Sequence, residues 1–171
     1  YLEAMASWGQ DEYQVQHYFG LMTQVHLALY TGRYHRAVEY VKTAWRPLRS
    51  SMVDQVYFVH CDLVSLRIRA GLAALLAGRD DPEMCESIEA DLSRLEKSDA
   101  EWVRAQAQLF RAAYDEFHGR EESALNGFTA AIESLDQAGL TAHSAAAKIR
   151  LGLLLQGDVG ETWVQAGQNT L

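Results

Sequence analysis

Proline and cysteine are both scarce in this chain of 171 residues, with two of each. Proline removes a backbone donor and disrupts helix interiors, so its scarcity, against about 5% in ordinary proteins, leaves room for long uninterrupted helices. The two cysteines, Cys61 and Cys85, exclude a disulfide-dense scaffold and fit a reducing, cytoplasmic setting. Positive charge is also in short supply. Fifteen Lys and Arg stand against 23 Asp and Glu, giving a net charge of −8 and a pI near 5.2, without the basic footprint of a nucleic-acid or anionic-membrane binder. No apolar run approaches the roughly 18 residues that span a bilayer; the longest, Ala70 to Ala77, is short and follows Arg67 and Arg69. Neither nucleic acid nor membrane is an expected partner. The chain opens at Tyr1 with no Met and no signal-type segment, which points to a piece of a longer polypeptide. Its length suffices for one packed domain, since chains near 150 residues bury roughly 70% of their unfolded surface.

What the chain does have is helical periodicity. From Tyr13 to Tyr30, Val15, Tyr18, Phe19, Met22, Val25 and Leu29 recur in steps of three and four, the spacing of a helix face and not of a strand. The same spacing predicts helices over Tyr34 to about Trp45, Met52 to Ala77, Pro82 to Glu96, Ala100 to Phe117, Glu121 to Ala138, Ala142 to Leu155 and Val159 to about Ala166. Asp81 before Pro82 is a natural helix start, and Asp11 with Gln14, Ser98 with Glu101, and Asp158 with Glu161 fit capping pairs. Pro47 either ends the second helix or kinks it.

Gly32, Gly78, Gly119 and Gly157 each follow one apolar helix and open another, at separations of 46, 41 and 38 residues. Periods in this range mark stacked helical hairpins. Gly119 is followed by Ala124, Phe128 and Ala131, and Gly32 by Ala37, Val41 and Ala44, at the same offsets of 5, 9 and 12. Packing explains the template: glycine closes the turn, the first Ala permits close helix approach, and the larger residue fills the next groove. The expected fold is all-α, an α-α superhelix of about four antiparallel helix pairs, with units near 11–50, 52–97, 99–138 and 141–168.

Gly32, Tyr34, Ala37 and Ala44, and Gly119, Ala124, Phe128 and Ala131, resemble the turn and second helix of the tetratricopeptide repeat (TPR). The spacing is longer than that family's ~34 residues, so the chain is TPR-like, a solenoid with longer helices. Tyr13 to Tyr18, Ala28 to Gly32, Trp45-Arg-Pro47-Leu-Arg49 and Leu153 to Gly157 look like the C-terminal helical region of large bacterial serine/threonine protein kinases, in which kinase and ATPase-type domains precede TPR-like repeats. That resemblance implies a non-catalytic regulatory or scaffolding segment, cut from a longer multidomain signalling protein. The kinase signatures His-Arg-Asp and Asp-Phe-Gly are missing from this chain.

No catalytic, cofactor or metal constellation emerges from the spacing. The six histidines are scattered, without the i, i+4 pair and intervening acid of a metal helix. Cys61 sits on a very apolar helix, where a buried thiol is expected. Nine acids between Asp80 and Glu101 form either a solvated helix face or a docking patch for a basic partner. Eleven of 17 aromatics fall within the first 58 residues, more than one neighbouring hairpin covers. This N-terminal aromatic helix is expected to abut further repeats or a second copy of the chain, as a homodimer. If first helices line a groove, the inner-face offsets select Phe19, Met22, His26 and Tyr30, then Ser65 and Ile68, then Gln106, Leu109 and Glu116 as contacts for a protein or peptide partner. Packing against adjacent helices is the plainer role for several of them. A structural or oligomerisation spacer is the alternative function, followed by a helical small-ligand sensor or metal-dependent enzyme.

Overall fold

Proline scarcity and three-to-four spacing have the expected outcome. The structure, a computed structural model, describes residues 13–79 and 81–170, and there the chain is all-α. Eight helices follow one another: α1 (Val15–Tyr30), α2 (Tyr34–Arg49), α3 (Tyr57–Leu76), α4 (Pro82–Leu95), α5 (Glu101–Phe117), α6 (Glu121–Gln137), α7 (Thr141–Leu155) and α8 (Gly157–Gln168). Links of a few residues force successive helices into antiparallel pairs. Tyr1, Trp8, Asp11 and Asp80 lie outside the described residues.

The turns follow the glycines. After α5, Gly119 has φ +68, its N–H reaches the carbonyl of Glu116, and the Arg120 N–H reaches that of Asp115 at 2.9 Å. This Schellman arrangement satisfies the carbonyls left open at a helix end, and glycine adopts it without a Cβ penalty. The Asp115 carboxylate adds a latch, accepting from Arg120 Nη2 at 2.7 Å and from Ser123 Oγ at 2.6 Å.

Several helix starts differ from the sequence expectation. Met52 opens a short 3₁₀ turn, Met52–Gln55, and α3 begins only at Tyr57. Pro47 neither stops α2 nor shortens it to Trp45, because it falls in the last turn, where little helix remains to disrupt. At α1 the box is closed by Gln14 and His17, whose Nδ1 accepts the Gln14 N–H at 3.0 Å. Asp81 does cap α4, accepting the Met84 N–H at 3.0 Å. Ser98 instead accepts the Ala100 N–H before α5, and Asp158 lies inside the first turn of α8, after Gln156.

The chain divides into two compact units, residues 1–88 and 89–171, the division falling within α4. In the first unit the core gathers Tyr18, Leu21 and Val25 of α1, Ala37, Val41 and Leu48 of α2, and Leu63 and Leu66 of α3. The acidic stretch is partly internal to the second unit. Asp91 is buried, while Glu89 and Glu96 are exposed and ion-paired to Arg111 of α5 at 2.6 and 2.8 Å. In the same unit α7 and α8 approach closely through Gly152, Gly160 and Gly167. Gly160 stands against Gly152, and Gly167 against Ala145, seven residues on along one helix and seven back along the other.

Candidate functional site

In the first unit α1 and α3 meet through four polar side chains. Tyr18 Oη donates to Asp62 Oδ2 at 2.7 Å. Two helical turns further along both helices, Arg69 Nη1 donates to His26 Nε2 at 3.2 Å. The rungs advance in the same direction on both helices, so α1 and α3 run parallel, as first helices of successive hairpins must. At ~1.5 Å rise per residue the rungs stand roughly 10 Å apart.

The electrostatics of the quartet follow from burial. Desolvation pushes the Tyr18 phenol well above its usual pKa, reinforced by the Asp62 carboxylate that it serves as donor. Desolvation also lowers the pKa of His26, and the neighbouring Arg69 charge lowers it further, against the pull of Asp62. Since a guanidinium can only donate, His26 must accept at Nε2 and carry its proton on Nδ1. Arg69 is itself desolvated, with Asp62 the charge that favours its ionised form. Its hydrogen bond among the described residues is the one to His26, which leaves other N–H donors of the fork available.

Beside the quartet runs the α1 row expected from the sequence. Phe19, Met22, His26 and Tyr30 fall within a narrow arc at 100° per residue. Phe19 is 61% exposed and Tyr30 91% exposed, while Met22 and His26 are half-buried. Ser65 and Ile68 of α3 are buried, Ile68 completely. In the second unit, α5 holds Gln106 and Leu109 at or below 9% exposure, and Glu116 is half-buried and ion-paired to Arg150 of α7. The first unit thus brings the α1 row together with the polar residues of α3, and α5 carries the other three on one helix.

Tyr18, Asp62 and Arg69 were not among the residues expected from the sequence. A signal did exist, because Asp62, Arg67 and Arg69 are the charged residues of an otherwise apolar α3. A second polar cluster pins the turn between α2 and α3. Arg49 Nη1 donates to Asp54 Oδ2 at 2.6 Å, and His60 Nδ1 lies 2.6 Å from the same nitrogen and 3.0 Å from Asp54 Oδ1. Cys61 is buried as expected, and desolvation raises its thiol pKa. Among the described residues no group of three or more His, Cys, Asp or Glu is placed to hold a metal ion, and no helix is long and apolar enough to cross a membrane. Compared with family models, curated proteins and solved structures, the chain matches none.

Proposed function

We propose that this chain is a non-catalytic protein-interaction module, the regulatory or scaffolding part of a bacterial signalling protein of the serine/threonine kinase type, and that a peptide segment docks on the α1–α3 surface of its first unit. The observation that carries this reading is the exposed aromatic row, Phe19 and Tyr30, beside a half-buried arginine with donors to spare. Rigid aromatics supply contact area at small entropic cost, and a guanidinium fork supplies directional hydrogen bonds to carbonyl or carboxylate oxygens. Homodimerisation through α1 is the second reading, favoured by Leu27, 61% exposed next to the same row.

A random-peptide library panned on the protein tests the first reading. Enriched peptides should bind at least ~10-fold more weakly to Phe19→Ala and Tyr30→Ala, a loss of the size expected when an interface anchor is truncated. They should bind Leu153→Ala, altered in the second unit, as well as the parent. His26→Ala is expected to weaken capture while the helical circular dichroism persists. Peptides indifferent to every α1 change would sink the docking surface. A dimer by light scattering that Phe19→Ala converts to monomer would favour self-association instead.

A further inference from the structure

Arg69 gives the α1–α3 surface a chemical preference that the aromatic row alone does not. Burial strips water from its guanidinium, and among the described residues its hydrogen bond goes to the uncharged His26 ring at 3.2 Å. Asp62 attracts it from the neighbouring rung but gives Oδ2 to Tyr18. A desolvated charge without a counterion in contact is costly to keep, and an incoming carboxylate relieves that cost.

The guanidinium is also within reach. Among the described residues, the buried side-chain polar atoms that lack a partner belong to Gln16, Glu116 and Ser144, so the spare N–H groups of Arg69 are open to solvent. Little of the chain's net charge of −8 resides here, because α1 carries no acid and α3 only Asp62.

Helix geometry sets the spacing of a ligand along this surface. At ~1.5 Å rise per residue, Phe19 lies about 10 Å along α1 from the His26–Arg69 rung, and Tyr30 about 6 Å beyond it. An extended peptide covers these spans in about three and two residues, at ~3.3 Å each.

We propose that the ligand class is a peptide with an internal Asp or Glu paired to Arg69, an apolar residue three positions to one side over Phe19, and another two positions to the other side over Tyr30. This class rests on the docking reading of the α1–α3 surface. A carboxylate paired with a guanidinium is stronger and more directional than a neutral amide in the same place, so the acid sets specificity while the two apolar residues supply contact area.

Peptides enriched on the protein, synthesised with both ends blocked so that the acid is a side chain, are compared with their Glu→Gln or Asp→Asn counterparts by fluorescence anisotropy. The parent protein is expected to bind the acidic form on the order of 10-fold more tightly. Arg69→Gln should bring the two forms within about two-fold, whereas Phe19→Ala should weaken both alike. In ¹H–¹⁵N spectra of the parent protein, the Arg69 Nε–H signal should move with the acidic peptide and not with its amide counterpart, a readout that stands even if Arg69→Gln fails to fold. Peptides that lose affinity on Phe19→Ala yet tolerate Glu→Gln would leave the docking surface in place and overturn the acidic class. An acid preference that survives in folded Arg69→Gln, or an Arg69 signal that does not move, would overturn it as well. Peptides indifferent to both Phe19→Ala and Tyr30→Ala would overturn the docking reading and the acidic class with it.

Discussion

Gly152→Ala pits helix propensity against packing, and the structure decides the sign. In an uncrowded helix the change would stabilise by about 1 kcal/mol, through the entropy that glycine loses on folding. At Gly152 the added Cβ would meet the carbonyl oxygen of Gly160 at 2.4 Å, and the backbone nitrogen and Cγ2 of Val164 at 2.8 Å. Ordinary contacts lie near ~3.5 Å, and two of these three atoms are backbone, so no rotamer relieves them. Helix α8 must retreat by about 1 Å. Overpacking costs about 1–3 kcal/mol, and three contacts below 3 Å, two of them to backbone, put this case at about 2–3 kcal/mol, which outweighs the propensity gain and leaves a net loss of about 1–2 kcal/mol. Amide hydrogen exchange is the suitable assay, because stability in a helical array is local and a single unfolding midpoint can average it away. Amides of α7 and α8 should exchange about 5- to 30-fold faster, the population change that such a loss implies. Gly160→Ala should behave alike, its Cβ lying 2.4 Å from the Gly152 carbonyl oxygen. Slower or unchanged exchange in Gly152→Ala would refute the packing argument.

Two further outcomes concern the α1–α3 quartet. Tyr18→Phe removes a 2.7 Å bond to a carboxylate from a buried ring and is expected to cost about 1.5 kcal/mol in urea denaturation; an unchanged midpoint would count against the bond. His26 has a lowered pKa in the folded protein, so the unfolded chain takes up its proton first. Stability from this source is complete above the ordinary imidazole value of ~6.5 and declines as pH falls below it. His26→Gln, which can still accept from Arg69, should flatten that part of the stability-pH curve.

Local physics was legible in the sequence and cross-helix chemistry was not. Ala37, Ala124 and Phe128, picked by their offsets from glycine, are all completely buried, and Gly32, Gly78, Gly119, Gly139 and Gly157 all have positive φ. Each of these depends on neighbours a few residues away. The Tyr18–Asp62 and His26–Arg69 bonds join residues 44 and 43 apart, so they exist only once α3 is known to lie beside α1. The exposed Glu96–Arg111 and Glu89–Arg111 pairs, 15 and 22 residues apart, were hidden for the same reason. The Gln14–His17 box escaped notice because its side chains are not the usual capping types.

Calorimetric titration of one enriched peptide into the parent protein and into a Phe19→Ala/Tyr30→Ala double variant tests the interaction-module reading most directly. Both rings are largely exposed, so the variant should keep its fold and any loss of heat reports on docking. The account predicts saturable binding to the parent and a loss of at least ~100-fold in the variant, two anchors at ~10-fold each. Equal affinity for both proteins would contradict it.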